Sequence, residues 1–406
     1  MRIWIVNSAM IPPIKPGGTR HHTMAKRMSV RHDVTLVTSN AHHSTLRDLF
    51  EVEGTSSLRE IEGVQYLIVR TFLRPVRSSQ KMRLLSWFAF ARRMIGAVRN
   101  LSRPDVIVGS SPNLIQALAA EMLARRYRVP FVLEIRDLWP ETLIRLGGYS
   151  PYNPFVLGLS VVERYLYRRA SCIVTLMEGS KGLIASRGGK KIVAVPNGVE
   201  FDLVDAPVED SPIVLDEQAF NVVYTGSLGI SNAIDRILDA AKMLLEQGET
   251  EVCFTFVGDG EHKAQLIERC AREGLTNVRF YTPIPKKHVY GLLRQANAFI
   301  VNALNASLYD HGVSFNKIFD YMAVGKPTVF AVASDIMERS GGGITCPPDN
   351  AAAIAEAVSR LKAMSPAERD EMGAKGRAYV EAHHDVAKLA EIFEAAIVDS
   401  IAASRM

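Results

Sequence analysis

The feature that most limits how this chain folds is an alternation. Short β-type runs that end in small or polar residues are followed by longer stretches of helical periodicity, repeatedly, along most of its length. That pattern belongs to parallel α/β sheets. In the first half the spacing predicts strands at residues 2–7, 33–38, 65–70, 106–109, 131–136, 172–175 and 192–195. Periodicity lapses over 201–219, where Asp202, Asp205, Pro207, Glu209, Asp210 and Pro212 supply linker chemistry. It resumes with runs at 221–224, 252–257, 278–281, 298–301 and 328–331. Two series separated by a break predict two doubly wound, Rossmann-like domains, 1–200 and 220–385. Their ligand sites are expected beyond the carboxyl ends of the strands, and a cleft between the domains is the place to look.

A length of 406 residues is enough for two packed cores. The balance of 48 Lys and Arg against 43 Asp and Glu leaves a formal charge of +5, too mild to imply nucleic acid as a partner. Cys172, Cys253, Cys270 and Cys346 lie far apart, so neither a zinc cluster nor a disulfide framework is expected, and a reducing compartment fits. No apolar run is long enough to cross a bilayer, and the first residues pass from Arg2 straight into a β-type run without a signal-peptide pattern. A cytoplasmic protein is expected.

Several motifs can carry chemistry. The loop after the first run contains Gly17, Gly18, Thr19, Arg20, His21 and His22, and glycines just ahead of a helix let backbone amides approach an anion. The spacing is not that of a dinucleotide fingerprint, and a long turn needing positive φ would use the same glycines. The run 131–136 delivers Arg136 and then Asp137 at its carboxyl end, where a carboxylate can accept a hydroxyl proton. Asp137 can equally cap the next helix, with Trp139 in the core.

In the second half, Gly226 and Ser227 follow one strand, and Gly258 and Gly260 follow the next, as two turns able to surround a nucleotide. The stretch from Gly312 through Ser314, Asn316, Lys317 and Asp320 to Gly325 reads as a helix capped by Ser314 or Asn316 and ended by Gly325. It would aim amides and Lys317 at a diphosphate, with Asp320 one turn deeper for ribose hydroxyls. A capped amphipathic helix with a solvated lysine has the same spacing.

Taken together, the Gly17-Gly18 loop, Val195-Pro196-Asn197-Gly198-Val199, Val257-Gly258-Asp259-Gly260, and Asn316-Lys317 with Asp320-Tyr321-Met322-Ala323 and Gly325-Lys326-Pro327 resemble the retaining GT-B glycosyltransferases of family four. The string Glu134-Ile135-Arg136-Asp137-Leu138-Trp139-Pro140-Glu141 is similar to a bacterial branch building O-antigen, capsule or exopolysaccharide, including N-acetyl-fucosaminyl transferases. The resemblance implies an N-terminal acceptor domain, a C-terminal nucleotide-sugar domain and a last helix, within 386–406, that returns to the first domain. It also implies transfer of a hexosyl or N-acetylhexosaminyl group with retained configuration, a UDP-linked donor, a polyprenyl-diphosphate-linked saccharide acceptor, and no metal or other cofactor.

The sequence departs from the family pattern in three ways. Gly312 stands where the first acid of the family's acidic pair falls, Ser227 and Asn232 stand where phosphate-binding cations fall, and Asp137 replaces a histidine. Charge neutralisation then passes to Lys317, the helix start, and Arg20 or Arg136.

Between Arg70 and Arg103 the chain carries nine basic residues and no acidic one, around a helical stripe of Leu84, Trp87, Phe88, Ala91, Met94, Ile95 and Val98. This predicts peripheral binding to the anionic inner face of the cytoplasmic membrane, against a packed stripe with solvated arginines. A nucleotide-sugar epimerase of the same architecture, and an inactive sugar-nucleotide-binding assembly protein, are the competing functional readings.

Overall fold

A computed structural model describes residues 1–13, 18–43, 45–72, 79–207 and 211–405. The chain forms two compact units, one of Met1–Pro196 with Val386–Met406 and the other of Asn197–Asp385.

The first unit contains β1 (Arg2–Val6), α1 (Arg20–Met28), β2 (Asp33–Ser39), β3 (Ser56–Ile61), β4 (Val64–Val69), α2 (Gln80–Ala97), β5 (Val106–Ser110), α3 (Leu114–Tyr127), β6 (Phe131–Ile135), α4 (Glu141–Arg145), α5 (Pro154–Arg169), β7 (Cys172–Thr175), α6 (Lys181–Ser186) and β8 (Ile192–Ala194). Its sheet has the order β3-β4-β2-β1-β5-β6-β7-β8 and is parallel except for the β3–β4 pair. Strands β5, β6 and β7 are buried along their whole length, as strands covered on both faces by helices must be.

Strand β3 falls outside the sequence expectation because its side chains are exposed or half-buried, so it carries no apolar signal. It exists because Glu62 and Gly63, with φ of 47° and 79°, form a two-residue hairpin that lays it on β4.

The second unit contains α7 (Phe201–Val204), β9 (Phe220–Thr225), α8 (Ile234–Glu246), β10 (Val252–Val257), α9 (Lys263–Glu273), β11 (Val278–Tyr281), α10 (Lys286–Gln295), β12 (Ala298–Asn302), α11 (Asn316–Ala323), β13 (Thr328–Ala331), α12 (Ile336–Ser340), β14 (Gly343–Thr345), α13 (Ala351–Ala363) and α14 (Pro366–His383). Its parallel sheet runs β11-β10-β9-β12-β13-β14. Strand β14 escaped the sequence reading because it is three residues long and opens on a glycine. Helix α14 starts from a capping box between Ser365 and Glu368, with Pro366 in its first turn.

The unit boundary lies at 196/197 rather than at 200. Residues 197–199 are held by the second unit: Asn197 N donates to Ser314 Oγ at 2.8 Å, and Val199 N donates to His384 O at 2.8 Å. The described residues of 201–219 are fastened to that unit rather than loose. Arg377 lies over the Phe201 ring, Arg294 donates to Val204 O, and Leu215 N donates to Gln295 Oε1 at 3.0 Å.

The last helix, α15 (Val386–Arg405), belongs to the first unit. Leu389, Phe393 and Ile397 join Ile3, Ile5, Met24, Leu36, Tyr66 and Val108 in one core on the α1 face of the sheet. Helices α2, α3 and α5 pack side by side in the first unit, and Trp4 meets Tyr127 of α3 edge-on at 5.4 Å. Along α2 the apolar stripe is divided. Ala91 and Met94, with Val98 just past the helix end, are core, Leu84, Trp87 and Ile95 are half-buried, and Phe88 with its neighbour Leu85 stands out in solvent.

Candidate functional site

Among the parallel strands of each sheet the order reverses once, between β9 and β12 in the second unit and between β1 and β5 in the first. Such switch points leave a crevice beyond the carboxyl ends of the strands.

At the second unit's switch point, α11 begins without a side-chain cap. Its N-cap residue is Phe315, and neither Ser314 nor Asn316 caps it as the sequence suggested. Ser314 is committed elsewhere: its Oγ accepts from Asn197 N, and its carbonyl accepts from Asn197 Nδ2 at 2.6 Å. Asn316 is exposed. The first turn has no side-chain cap for the amides of Asn316 and Lys317, which carry the positive end of the helix dipole, while Ile318 N donates to Phe315 O at 3.1 Å.

Lys317 lies back across the end of β9. Its Nζ donates to Tyr224 Oη at 2.6 Å and to Asn232 Oδ1 at 3.1 Å, and sits 4.1 Å from the Tyr224 ring centroid. Burial pushes its ammonium down to about 7. Asn232, at a position where the family pattern calls for a cation, therefore positions one. Gly226 follows β9 with φ of 135°, and a Cβ there would lie 3.2 Å from Lys317 Cε. Ser227 is exposed and offers its carbonyl to Tyr224 Oη at 2.7 Å and to Asn232 Nδ2 at 3.0 Å.

Gly258 and Gly260 have a packing duty. A Cβ on Gly258 would fall 1.8 Å from Gly226 O, and one on Gly260 would fall 2.6 Å from the Leu228 carbonyl carbon. The two strand-end turns are thus stacked backbone on backbone, joined by Gly226 N to Val257 O and Leu228 N to Asp259 O.

Asp320, one turn into α11, accepts from Tyr290 Oη at 2.7 Å. Burial raises its carboxyl, with Lys286 opposing that shift and Glu200 adding to it. Tyr321 binds α11 to β9: its hydroxyl accepts from Thr225 N at 2.6 Å, and its ring stacks on Phe299 at 4.1 Å. Gly325, with φ of 71°, ends the helix. Gly312 has φ of 92° and open space around its Cβ position, so a side chain there would meet backbone strain rather than a clash.

The first unit's switch point holds a buried network that the sequence reading missed. Glu134, 1% exposed, accepts from Arg20 Nε at 2.9 Å and Ser110 Oγ at 2.6 Å, and lies 2.8 Å from His21 Nε2. Asn7 at the end of β1 donates to Ser110 Oγ at 2.9 Å. Burial alone would raise the Glu134 carboxyl, but Arg20 and His21 hold it well below the usual carboxylate range. Arg20 also donates to Pro196 O and Val195 O at 2.6 and 2.8 Å, so it is committed inside the unit and drops out as a neutraliser of an incoming diphosphate. The signal lay in Glu134, a carboxylate in the middle of an apolar strand, which demands a buried partner.

Arg20, His21 and His22 belong to the first turn of α1 rather than to the loop, while Gly18 is exposed just ahead of it. Gly17 lies outside the described residues. Beyond β6, Arg136 N donates to Ser111 Oγ at 2.8 Å, and Arg136 Nε is buried with no hydrogen-bond partner among the described residues. Asp137 is exposed, and α4 starts from Pro140 with no side-chain cap, so Asp137 does not cap that helix. Trp139 is half-buried and meets Trp87 of α2 edge-on at 5.4 Å.

Residues 17–198 match the family described as glycosyl transferase 4-like domain, and residues 219–363 match glycosyl transferases group 1. Among curated proteins, the probable glycosyltransferase WbjE of Pseudomonas aeruginosa is 24% identical over 70% of this chain and 74% of that protein. The putative colanic acid biosynthesis glycosyl transferase WcaI of Escherichia coli is 22% identical over 49% of this chain and 51% of its own length. Among solved structures, the sucrose-phosphate synthase of Thermosynechococcus elongatus superposes with a TM-score of 0.74 at 14% identity, covering 99% of both chains. Anabaena HepE, solved with UDP and glucose, gives 0.65 at 15% identity over 97% of this chain and 98% of that one. These likenesses make the fold GT-B.

Proposed function

The chain is a glycosyltransferase of the family-four type, and from that premise we propose that it is a retaining enzyme of bacterial surface-polysaccharide assembly. In this reading it moves a hexosyl or N-acetylhexosaminyl group from a UDP-linked donor to a polyprenyl-diphosphate-linked saccharide. The observation that carries the donor half is Lys317, held between the uncapped start of α11 and the Gly226 turn at a sheet switch point. A cation and helix-start amides in one place neutralise the two charges of a diphosphate, and do so more strongly as it leaves.

The transfer accordingly proceeds without a metal, because Lys317 and the α11 amides take that charge. Asp320, oriented by Tyr290, accepts hydrogen bonds from ribose hydroxyls. In the first unit, Arg136 brings a donor without a partner among the described residues, and Asp137 receives the acceptor's hydroxyl proton. The choice of UDP is supported by HepE, solved with UDP, and a role in polysaccharide assembly by the colanic acid name of WcaI. The enzyme works at the inner face of the cytoplasmic membrane, reached through the basic stretch 70–103, of which Arg74 and Arg77 lie outside the described residues. Among the described residues no helix is long and apolar enough to cross a membrane.

The test is sugar transfer from a panel of nucleotide sugars to synthetic polyprenyl-diphosphate saccharides, with the product's anomeric configuration read by NMR. A retained linkage on a lipid-linked acceptor is the expected result. Nucleotide release without transfer to any acceptor contradicts the reading.

A further inference from the structure

Outside both switch points, one surface of the first unit combines apolar exposure with a one-sided charge. Helices α2, α3 and α5 lie side by side, with α3 in the middle. On α2, Lys81, Leu85, Phe88 and Arg92 are all exposed, at spacings of four, three and four residues, which places them on one face. Leu85 is 54% and Phe88 53% exposed. On α3 the exposed residues include Met122, Arg125 and Arg126, and on α5 they include Leu157, Val161, Arg164 and Arg168.

Acidic residues are withheld from this surface. Helix α2 has none, and α3 and α5 have one each, Glu121 and Glu163. Each of those is 1% exposed and already paired, Glu121 with Arg169 and Tyr165, Glu163 with Arg187. The contrast within the same unit is α15, on the other face of the sheet, which shows exposed Glu391 and Asp399 beside its basic residues.

We propose that the outward surface shared by α2, α3 and α5 is a docking face for an anionic lipid bilayer. This rests on the reading that the acceptor is lipid-linked, and it extends the contact from the 70–103 stretch to two further helices. Charge complementarity commits the face to that occupant. Arginines without exposed carboxylates attract a negatively charged surface, and leucine, phenylalanine, methionine and valine side chains between them can enter the headgroup layer. A second copy of the chain would bring the same positive charge to the contact and be repelled.

The experiment is sedimentation of the full chain with vesicles of phosphatidylglycerol and phosphatidylcholine, compared with phosphatidylcholine alone, at low and high salt. Three paired variants change exposed positions only: Leu85→Glu with Phe88→Glu, Met122→Glu with Arg126→Glu, and Leu157→Glu with Val161→Glu. The exposed Val398→Glu on α15 is the control.

Binding that requires the anionic lipid, weakens in salt, falls about tenfold or more in all three pairs and survives in the control is the expected result. If the α3 and α5 pairs sediment like the unsubstituted chain while the α2 pair does not, the three-helix face is wrong and membrane docking through 70–103 stands. Equal binding to neutral vesicles, or a dimer in vesicle-free ultracentrifugation that the α5 pair abolishes, overturns the proposal. Turnover of a short-chain, water-soluble acceptor by the α5 pair is expected to match the unsubstituted enzyme. That assay separates loss of docking from failure of the transferase reading.

Discussion

The Lys317 ammonium lies 2.6 Å from the Tyr224 hydroxyl oxygen and 4.1 Å from the centroid of the same ring, held from the other side by Asn232. A cation kept against an aromatic face and two neutral oxygens is poorly compensated, which is why burial brings it down to about 7.

That state sets a pH dependence for nucleotide binding. A diphosphate beside Lys317 favours the ammonium, so its affinity for a proton rises in the complex. Above pH 7 the free site has lost the proton that the complex needs, and binding must take one up. Affinity for the nucleotide is therefore expected to fall by up to about tenfold per pH unit above pH 7. Calorimetry in buffers of different ionisation enthalpy checks this, with proton uptake near one per nucleotide at pH 8.5 and none for Lys317→Met.

Asp320 and Tyr290 form the second test of the same site. Removing the carboxylate with Asp320→Ala is expected to weaken donor binding by roughly 10- to 100-fold, the worth of one or two hydrogen bonds to a charged group. Tyr290→Phe leaves the carboxylate in place without its orienting hydroxyl and is expected to cost less than Asp320→Ala. Titration of both variants with nucleotide gives the comparison, and unchanged affinity in Asp320→Ala contradicts the ribose role.

For Asp137, the expected outcome separates chemistry from binding. Asp137→Ala is expected to lower turnover by about 10²-fold or more, the range of a general base, while nucleotide affinity changes little. Steady-state kinetics beside a nucleotide titration read the two effects apart. Normal turnover in a folded Asp137→Ala enzyme removes the residue from the mechanism.

The Glu134 network predicts a stability effect rather than a kinetic one. Glu134→Ala leaves Arg20 buried opposite no carboxylate and is expected to cost about 3–5 kcal/mol of unfolding free energy. Chemical denaturation followed by circular dichroism measures it. A loss below about 1 kcal/mol would mean that water reaches Arg20 and that the network does not hold the start of α1.

Much of the scaffold was legible because buried parallel strands must be apolar throughout. Runs such as Phe131 to Ile135 and Val252 to Val257 stand out whatever their partners. Strand β3 was illegible for the opposite reason: an exposed edge strand needs only a hairpin turn and a neighbour, and Leu58-Arg59-Glu60 carries neither period. At the site, residue types and chain order pointed to Lys317, Asp320 and Gly226, since βα turns and helix starts follow from local sequence. What Lys317 touches did not follow, because Tyr224 and Asn232 are separated from it by 93 and 85 residues. Arg20 shows the same limit: as a loop arginine it reads as an anion ligand, and only its pairing with Glu134, 114 residues away, shows it to be committed.

Gly258 and Gly260 carry a related lesson. Glycine after a strand suggests close approach of a ligand, yet both residues here admit the backbone of the neighbouring turn. They let the Gly226 and Ser227 turn sit where it does.

The proposed transfer depends on the second unit gripping a diphosphate at the start of α11. Calorimetric titration of the unsubstituted chain and of Lys317→Ala with UDP, and with GDP and dTDP alongside, reads this directly. The expected result is saturable binding of one nucleotide per chain that weakens by about 10- to 100-fold in the variant, the worth of a charge-assisted hydrogen bond. Equal affinity in the two proteins would contradict it and place the nucleotide elsewhere.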